Sequence, residues 1–137
     1  MLTVREATPE DKQTAIDIWD ASGITAPWND PPNDFDRALA APSSTILVVE
    51  SEENIEGLAM TGFDGHLGWI HMVGVRPESQ GKGIGATLAA ACKDFLREKG
   101  APGAYLMTDP LNERGQEFWR RHGFVEIDAV VYTARLS

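Results

Sequence analysis

Residues Gln80 to Ala90 read QGKGIGATLAA, with three glycines in five positions and an apolar, alanine-rich run directly behind them. Glycine brings backbone freedom that folding must remove, so a cluster of this kind weakens local structure unless its special conformations are used. The usual use is a turn that aims successive N–H groups at an anion, with the positive end of a helix behind them. The helix that follows is the clearest in the chain. Ile84, Leu88, Ala91, Cys92, Phe95 and Leu96 repeat at the spacing of one apolar helix face, and Gly100 and Pro102 end it.

The remaining pattern alternates strands and helices. Leu2 to Glu6 predicts a first strand. Thr8-Pro9-Glu10-Asp11 predicts a helix start, with Ile16, Trp19 and Ile24 facing inward, and Asp34 to Ala41 predicts a second short helix. Thr45 to Glu50, Ile55 to Phe63 and Leu67 to Val75 read as an antiparallel meander with a tight turn at Asp64-Gly65 and a stop at Arg76-Pro77. Gly103 to Thr108 predicts a strand, Asn112 to His122 a helix closed by Gly123, and Phe124 to Ile127 and Ala129 to Ala134 two final strands. The order is βααβββ followed by αβαββ.

At 137 residues the chain is expected to form a single domain over 1–137. No stretch approaches the roughly 18 apolar residues of a membrane span. The opening MLTVREATPEDK places charges where a signal peptide needs an apolar run, so a cytoplasmic location is expected. A single cysteine, Cys92, excludes an internal disulfide and argues against a cysteine-based zinc site, and no metal is expected. A net charge of −9 offers no basic face for nucleic acid. The acidity suits a cationic partner or simply a soluble surface.

Three phosphate loops compete for the glycine run. A Walker A loop fails, because Gly81-Lys82 is followed by Gly83 rather than Ser or Thr. A dinucleotide fingerprint is nearly met by Gly81, Gly83 and Ala86, but hairpins precede it and too little chain remains for a doubly wound half-domain. The third pattern, Gln/Arg-x-x-Gly-x-Gly/Ala, is met by Gln80, Gly83 and Gly85 after a strand ending Val73-Gly74-Val75-Arg76-Pro77. With this motif, Asn112 and the Phe118-Trp119-Arg120-Arg121-His122-Gly123-Phe124 ending, the chain resembles the GCN5-related N-acetyltransferase (GNAT) superfamily. The segments PWNDP and GFDGH are similar to small bacterial members of the YpeA type.

The resemblance implies the GNAT fold: a mixed, mostly antiparallel sheet of about seven strands, splayed at its centre and flanked by about four helices. It implies acetyl-CoA as acetyl donor, with Gln80, Gly81, Lys82, Gly83, Ile84, Gly85 and Ala86 around the pyrophosphate and the backbones of Val73 and Val75 along the pantetheine arm. Asn112 and Phe118 would also bind the donor. An amine would attack directly in a ternary complex, with no acetyl-enzyme. The position that holds an acidic tyrosine in the family is Trp119 here, and indole is only a hydrogen-bond donor. Core packing, pantetheine contact and catalysis remain its readings. His71 is the candidate base in a strand that lacks a carboxylate, or a structural histidine. By simple alternation it shares a face with Val73 and Val75. Trp28, Asn29 and Asp30 either receive a cationic amine acceptor or fill the core and make a turn. Asp64 and His66 either reach the acceptor or serve the turn. Asn112 is a donor contact or a helix cap. A non-catalytic acyl-CoA-binding module is the alternative function, and a homodimer stays open.

Overall fold

The central apolar runs form a sheet whose strands lie side by side in sequence order. β1 (Thr3–Glu6), β2 (Ser44–Glu50), β3 (Ile55–Phe63) and β4 (Gly68–Val75) are antiparallel, and β5 (Ala104–Tyr105) joins β4 in parallel. This is a computed structural model, and it describes residues 1–136. The chain divides into a unit of Met1–Met107 and a second unit from Thr108 onward. The expected meander is present, with Gly65 at φ 93° in its second turn, a left-handed value that glycine adopts without strain.

β2 is buried from Thr45 to Val49 without alternation because both faces of the sheet are covered. On one side lie α1 (Lys12–Ala21) and α2 (Pro31–Ala40), whose Ala15, Ile18, Trp19, Phe35 and Ala38 pack against Ile46, Val48, Leu58 and Met60. On the other lies α3 (Ile84–Glu98). A Cβ at Gly57 of β3 would meet Ile84 at 2.8 Å, and one at Gly68 of β4 would meet Leu96 at 2.8 Å, so these glycines let the helix sit close to the sheet.

The helix starts follow local chemistry. A 3-10 turn over Pro9–Asp11 precedes α1, and the Thr8 N–H donates to the Asp11 carboxylate at 2.8 Å. α2 begins at Pro31 rather than at the expected Asp34. Prolines suit the first helical positions, where an N–H would lack a partner anyway, and their fixed φ already matches the helix.

In the second unit, α4 (Glu113–Arg121) is capped by Asn112, whose side-chain oxygen accepts the Gly115 N–H at 3.0 Å. Gly123, at φ 90°, closes it, and the Phe124 N–H returns to the Trp119 carbonyl at 3.0 Å.

The expected count of about seven strands is corrected to five. Among the described residues no strand follows Tyr105, so 124–127 and 129–134 are not strands, and the expected strand over 103–108 shortens to two residues. Val125, Ile127, Val130, Val131 and Tyr132 are exposed. An apolar, β-prone sequence does not by itself supply the neighbouring row of N–H and C=O groups that makes a strand.

Candidate functional site

Beyond β4 the chain is tied down before it reaches the glycines. The Arg76 guanidinium donates to the Ile55 carbonyl at 2.6 Å, and a 3-10 turn spans Pro77–Ser79. Buried Ser79 donates its hydroxyl to one oxygen of Glu56 at 2.5 Å, while Ser51 donates to the other at 2.6 Å. Those hydroxyls, Ser51 first, with the positive charges of Arg76 and Lys82, hold the Glu56 carboxyl below its usual range. Glu56 thus acts as a fixed anion on β3 that anchors the start of the loop.

Gly81 and Gly83 then both take left-handed φ, 85° and 82°. A Cβ on either would meet nothing within 4 Å, so glycine is needed there for backbone conformation, and the space beside it is open. Gly83 occupies the N-cap of α3 with no side-chain cap. The first helical bond runs from the Thr87 N–H to the Gly83 carbonyl at 3.0 Å, and the Thr87 hydroxyl donates to the same oxygen at 2.9 Å. The N–H groups of Ile84, Gly85 and Ala86 therefore precede any intrahelical acceptor. The first turn carries no acidic residue, and Lys82 is exposed beside it. This donor set fits a multiply charged anion such as a diphosphate.

The second element is the stretch of β4 beyond Trp69. The pairing of β4 with β5 covers only Gly68 and Trp69, yet β4 runs on to Val75. Within that extension the β3 register slips between Leu58 and Met60, opposite Met72, which has φ 54°, the one positive value outside glycine among the described residues. An uncapped helix start behind two left-handed glycines thus follows a strand that, among the described residues, has no second pairing partner beyond Trp69. A family model described as the acetyltransferase (GNAT) family matches residues 12–124.

The chain belongs to the GNAT acetyltransferase family.

As a member of that family it is an acyltransferase. An acetyltransferase of Pectobacterium atrosepticum is 29% identical to this GNAT chain over 98% of its length and 96% of the relative's. The aminoglycoside acetyltransferase AAC(6')-Iy, solved with a CoA-linked bisubstrate analogue, is 16% identical and covers 100% of this chain and 99% of its own, with a TM-score of 0.83. A protein of Clostridium acetobutylicum described as a predicted acetyltransferase and solved with acetyl-CoA is 18% identical over 98% of this chain and 96% of its own, with a TM-score of 0.79. At these identities the solved structures establish the shared fold.

The bulge in β4 corrects the expected position of His71. Trp69 and Met72 pack against the α1/α2 core, and His71 stacks on Trp69 with ring centroids 4.7 Å apart. A Cβ at Gly74 would meet Trp19 of α1 and Ser22, the residue that caps its C-terminus, at 3.0 Å each, so Gly74 faces α1 as well. Val73 and Val75 therefore point to the α3 side, opposite His71. The extra residue at Met72 inverts the two-residue alternation. His71 is half-buried, 6.2 Å edge-on from Tyr105, and burial holds its pKa below the ordinary imidazole value. Its ring is thus neutral near pH 7.

The other candidates separate by their bonds. Trp28 is 79% exposed and does not fill the core. Asn29 accepts the Ala26 N–H at 2.7 Å, and Asp30 stands at the α2 N-cap with its carboxylate accepting from Asn33 at 2.7 Å. Asp64 accepts the N–H groups of Leu67 and His66 at 2.9 and 2.8 Å, which hold its carboxyl low, and His66 is exposed in that turn. Cys92 is buried and its thiol is pushed up to about 12 by burial, so it is a packing residue. Within the second unit, Trp119 lies edge-on to Phe118 at 4.9 Å and to Phe124 at 5.2 Å, an aromatic packing role. No cluster able to hold a metal is found among the described residues.

The sequence did not single out Glu56, Ser79, Trp19 or Tyr105 for the site. Gly74, a residue without a side chain amid large ones, was the one local sign that another element presses on β4.

Proposed function

We propose that this GNAT protein is an acetyl-CoA-dependent N-acetyltransferase that transfers the acetyl group directly to an amine. The observation that carries this reading is the uncapped N-terminus of α3 beyond two left-handed glycines, reached from a β4 whose edge is free after Trp69. In this reading the amides from Gly81 to Ala86, with Gln80 and Lys82, hold the diphosphate, and the backbones of Val73 and Val75 hold the pantetheine arm. By family resemblance Asn112 and Phe118 also belong to the donor site.

The amine nitrogen attacks the acetyl carbonyl carbon while a β4 amide stabilises the developing oxyanion. The carbon–sulfur bond then breaks, the thiolate leaves and is protonated by water, and the amine proton passes to a base. Neutral His71 is the candidate acceptor for that proton. Placement of the two reactants supplies most of the rate. Exposed Trp28, on an acidic chain, suits a cationic acceptor by cation–π contact. The resemblance of PWNDP and GFDGH to small bacterial acetyltransferases supports the same reaction class.

The test is thermal stabilisation by acetyl-CoA against NAD, followed by thiol release over a panel of amines. Stabilisation by acetyl-CoA alone and amine-dependent thiol release are expected. No stabilisation by acetyl-CoA refutes the donor site. Stabilisation with no thiol release from any amine establishes the non-catalytic acyl-CoA-binding alternative, which Trp119 at the tyrosine position would explain.

A further inference from the structure

The geometry points to Trp19 as the positioning residue that sets the β4 bulge for acyl transfer. This rests on the acetyl-transfer reading above. Trp19 is on α1 and wholly buried, and its indole N–H donates to the Met72 carbonyl at 2.6 Å. Its ring is braced edge-on by Phe35 at 6.4 Å. Met72 is the described non-glycine residue with left-handed φ, and the register slip beside it leaves its carbonyl out of the regular ladder. A left-handed residue inside a strand persists only where its surroundings over-determine it. The indole supplies that constraint.

The consequence concerns one peptide plane. In a planar trans peptide the C=O and N–H point in opposite directions. With the Met72 oxygen drawn to α1, the N–H of Val73 is aimed to the far side of the sheet, the side that carries α3 and the glycine loop. In the proposed reaction that amide is the one placed to meet the thioester oxygen. Gly74 completes the device: any Cβ there would press on the Trp19 ring at 3.0 Å.

The experiment compares three ligands by calorimetry: acetyl-CoA, CoA, and S-ethyl-CoA, a thioether with a methylene in place of the carbonyl. Only acetyl-CoA has the oxygen that the Val73 amide would meet. Trp19→Phe keeps a ring and removes the donor. The expected result is that the preference for acetyl-CoA over S-ethyl-CoA falls severalfold, with CoA affinity within about twofold of wild type. With an acceptor amine identified, kcat falls about tenfold or more, as for a misaimed oxyanion donor, with KM for the amine unchanged. Gly74→Ala, which displaces the indole rather than deleting it, is expected to give the same selective loss. It decides the matter where Trp19→Phe does not fold. Equal weakening of all three ligands, or an unchanged preference in a folded variant, overturns the role of Trp19. A wild-type protein that binds none of the three overturns the donor-site reading as well.

Discussion

Gly83→Ala separates what the loop costs to fold from what it gives to binding. Gly83 has φ 82° and open space around its missing Cβ, so alanine meets no clash and pays only for the left-handed backbone. That costs about 1–2 kcal/mol, offset in part by the lower entropy of the unfolded chain, for a net of about 1 kcal/mol. For a chain of this size Tm should fall by about 3–5 °C. If alanine instead relaxes to negative φ, the amides of Ile84 and Gly85 re-aim. Two N–H bonds to a charged phosphate are worth about 3 kcal/mol at the low end, or about a hundredfold in Kd. The assay is Tm without ligand, then calorimetric titration with CoA. Gly83→Asn is the control, since asparagine tolerates this conformation and should cost less stability. A Gly83→Ala protein whose Tm stays at the wild-type value, so that the backbone has relaxed to negative φ, and whose CoA affinity is nonetheless within twofold of wild type would refute the cradle.

Four further outcomes are expected. If His71 accepts the amine proton, the rate rises with pH and levels off below the pH an ordinary imidazole would give, because burial lowers its pKa; His71→Ala should remove that limb from the pH–rate profile while CoA affinity survives. The same shift implies that His71's contribution to stability is intact above the ordinary value of about 6.5 and declines as pH falls toward the lower folded value, because the unfolded chain binds the proton more readily. Urea midpoints at about pH 7.5 and 5.5 should therefore differ more in wild type than in His71→Gln. Ser79→Ala removes a 2.5 Å hydrogen bond to the Glu56 carboxylate and is expected to cost about 1–2 kcal/mol by urea unfolding and to weaken CoA binding. Gly57→Ala sets a Cβ 2.9 Å from the Gly74 carbonyl, a backbone atom that cannot turn away, so a loss of about 1–3 kcal/mol by the same measure is expected, with α3 shifted from β4.

The sequence by itself determined the parts that local chemistry controls. The meander follows from apolar runs bounded by turn residues. α3 follows from its 3.6-residue period, its glycines and its terminal Gly100. The left-handed loop follows from Gly81 and Gly83, and the α4 cap from Asn112. α2 was legible in kind but not in its start, because two prolines read as a loop until they are seen as the first helical residues. Tertiary structure alone decided the rest. Whether 124–134 becomes strand depends on a partner row of backbone groups, which no periodicity encodes. The face of His71 depends on one extra residue in β4, and alternation is blind to a bulge. That bulge is held by an indole 53 positions away in the chain, and an N–H to carbonyl bond of that range leaves no trace in either local sequence. Spacing along the chain records only what neighbouring residues require of each other, whereas the site is set by which distant groups come to share a hydrogen bond.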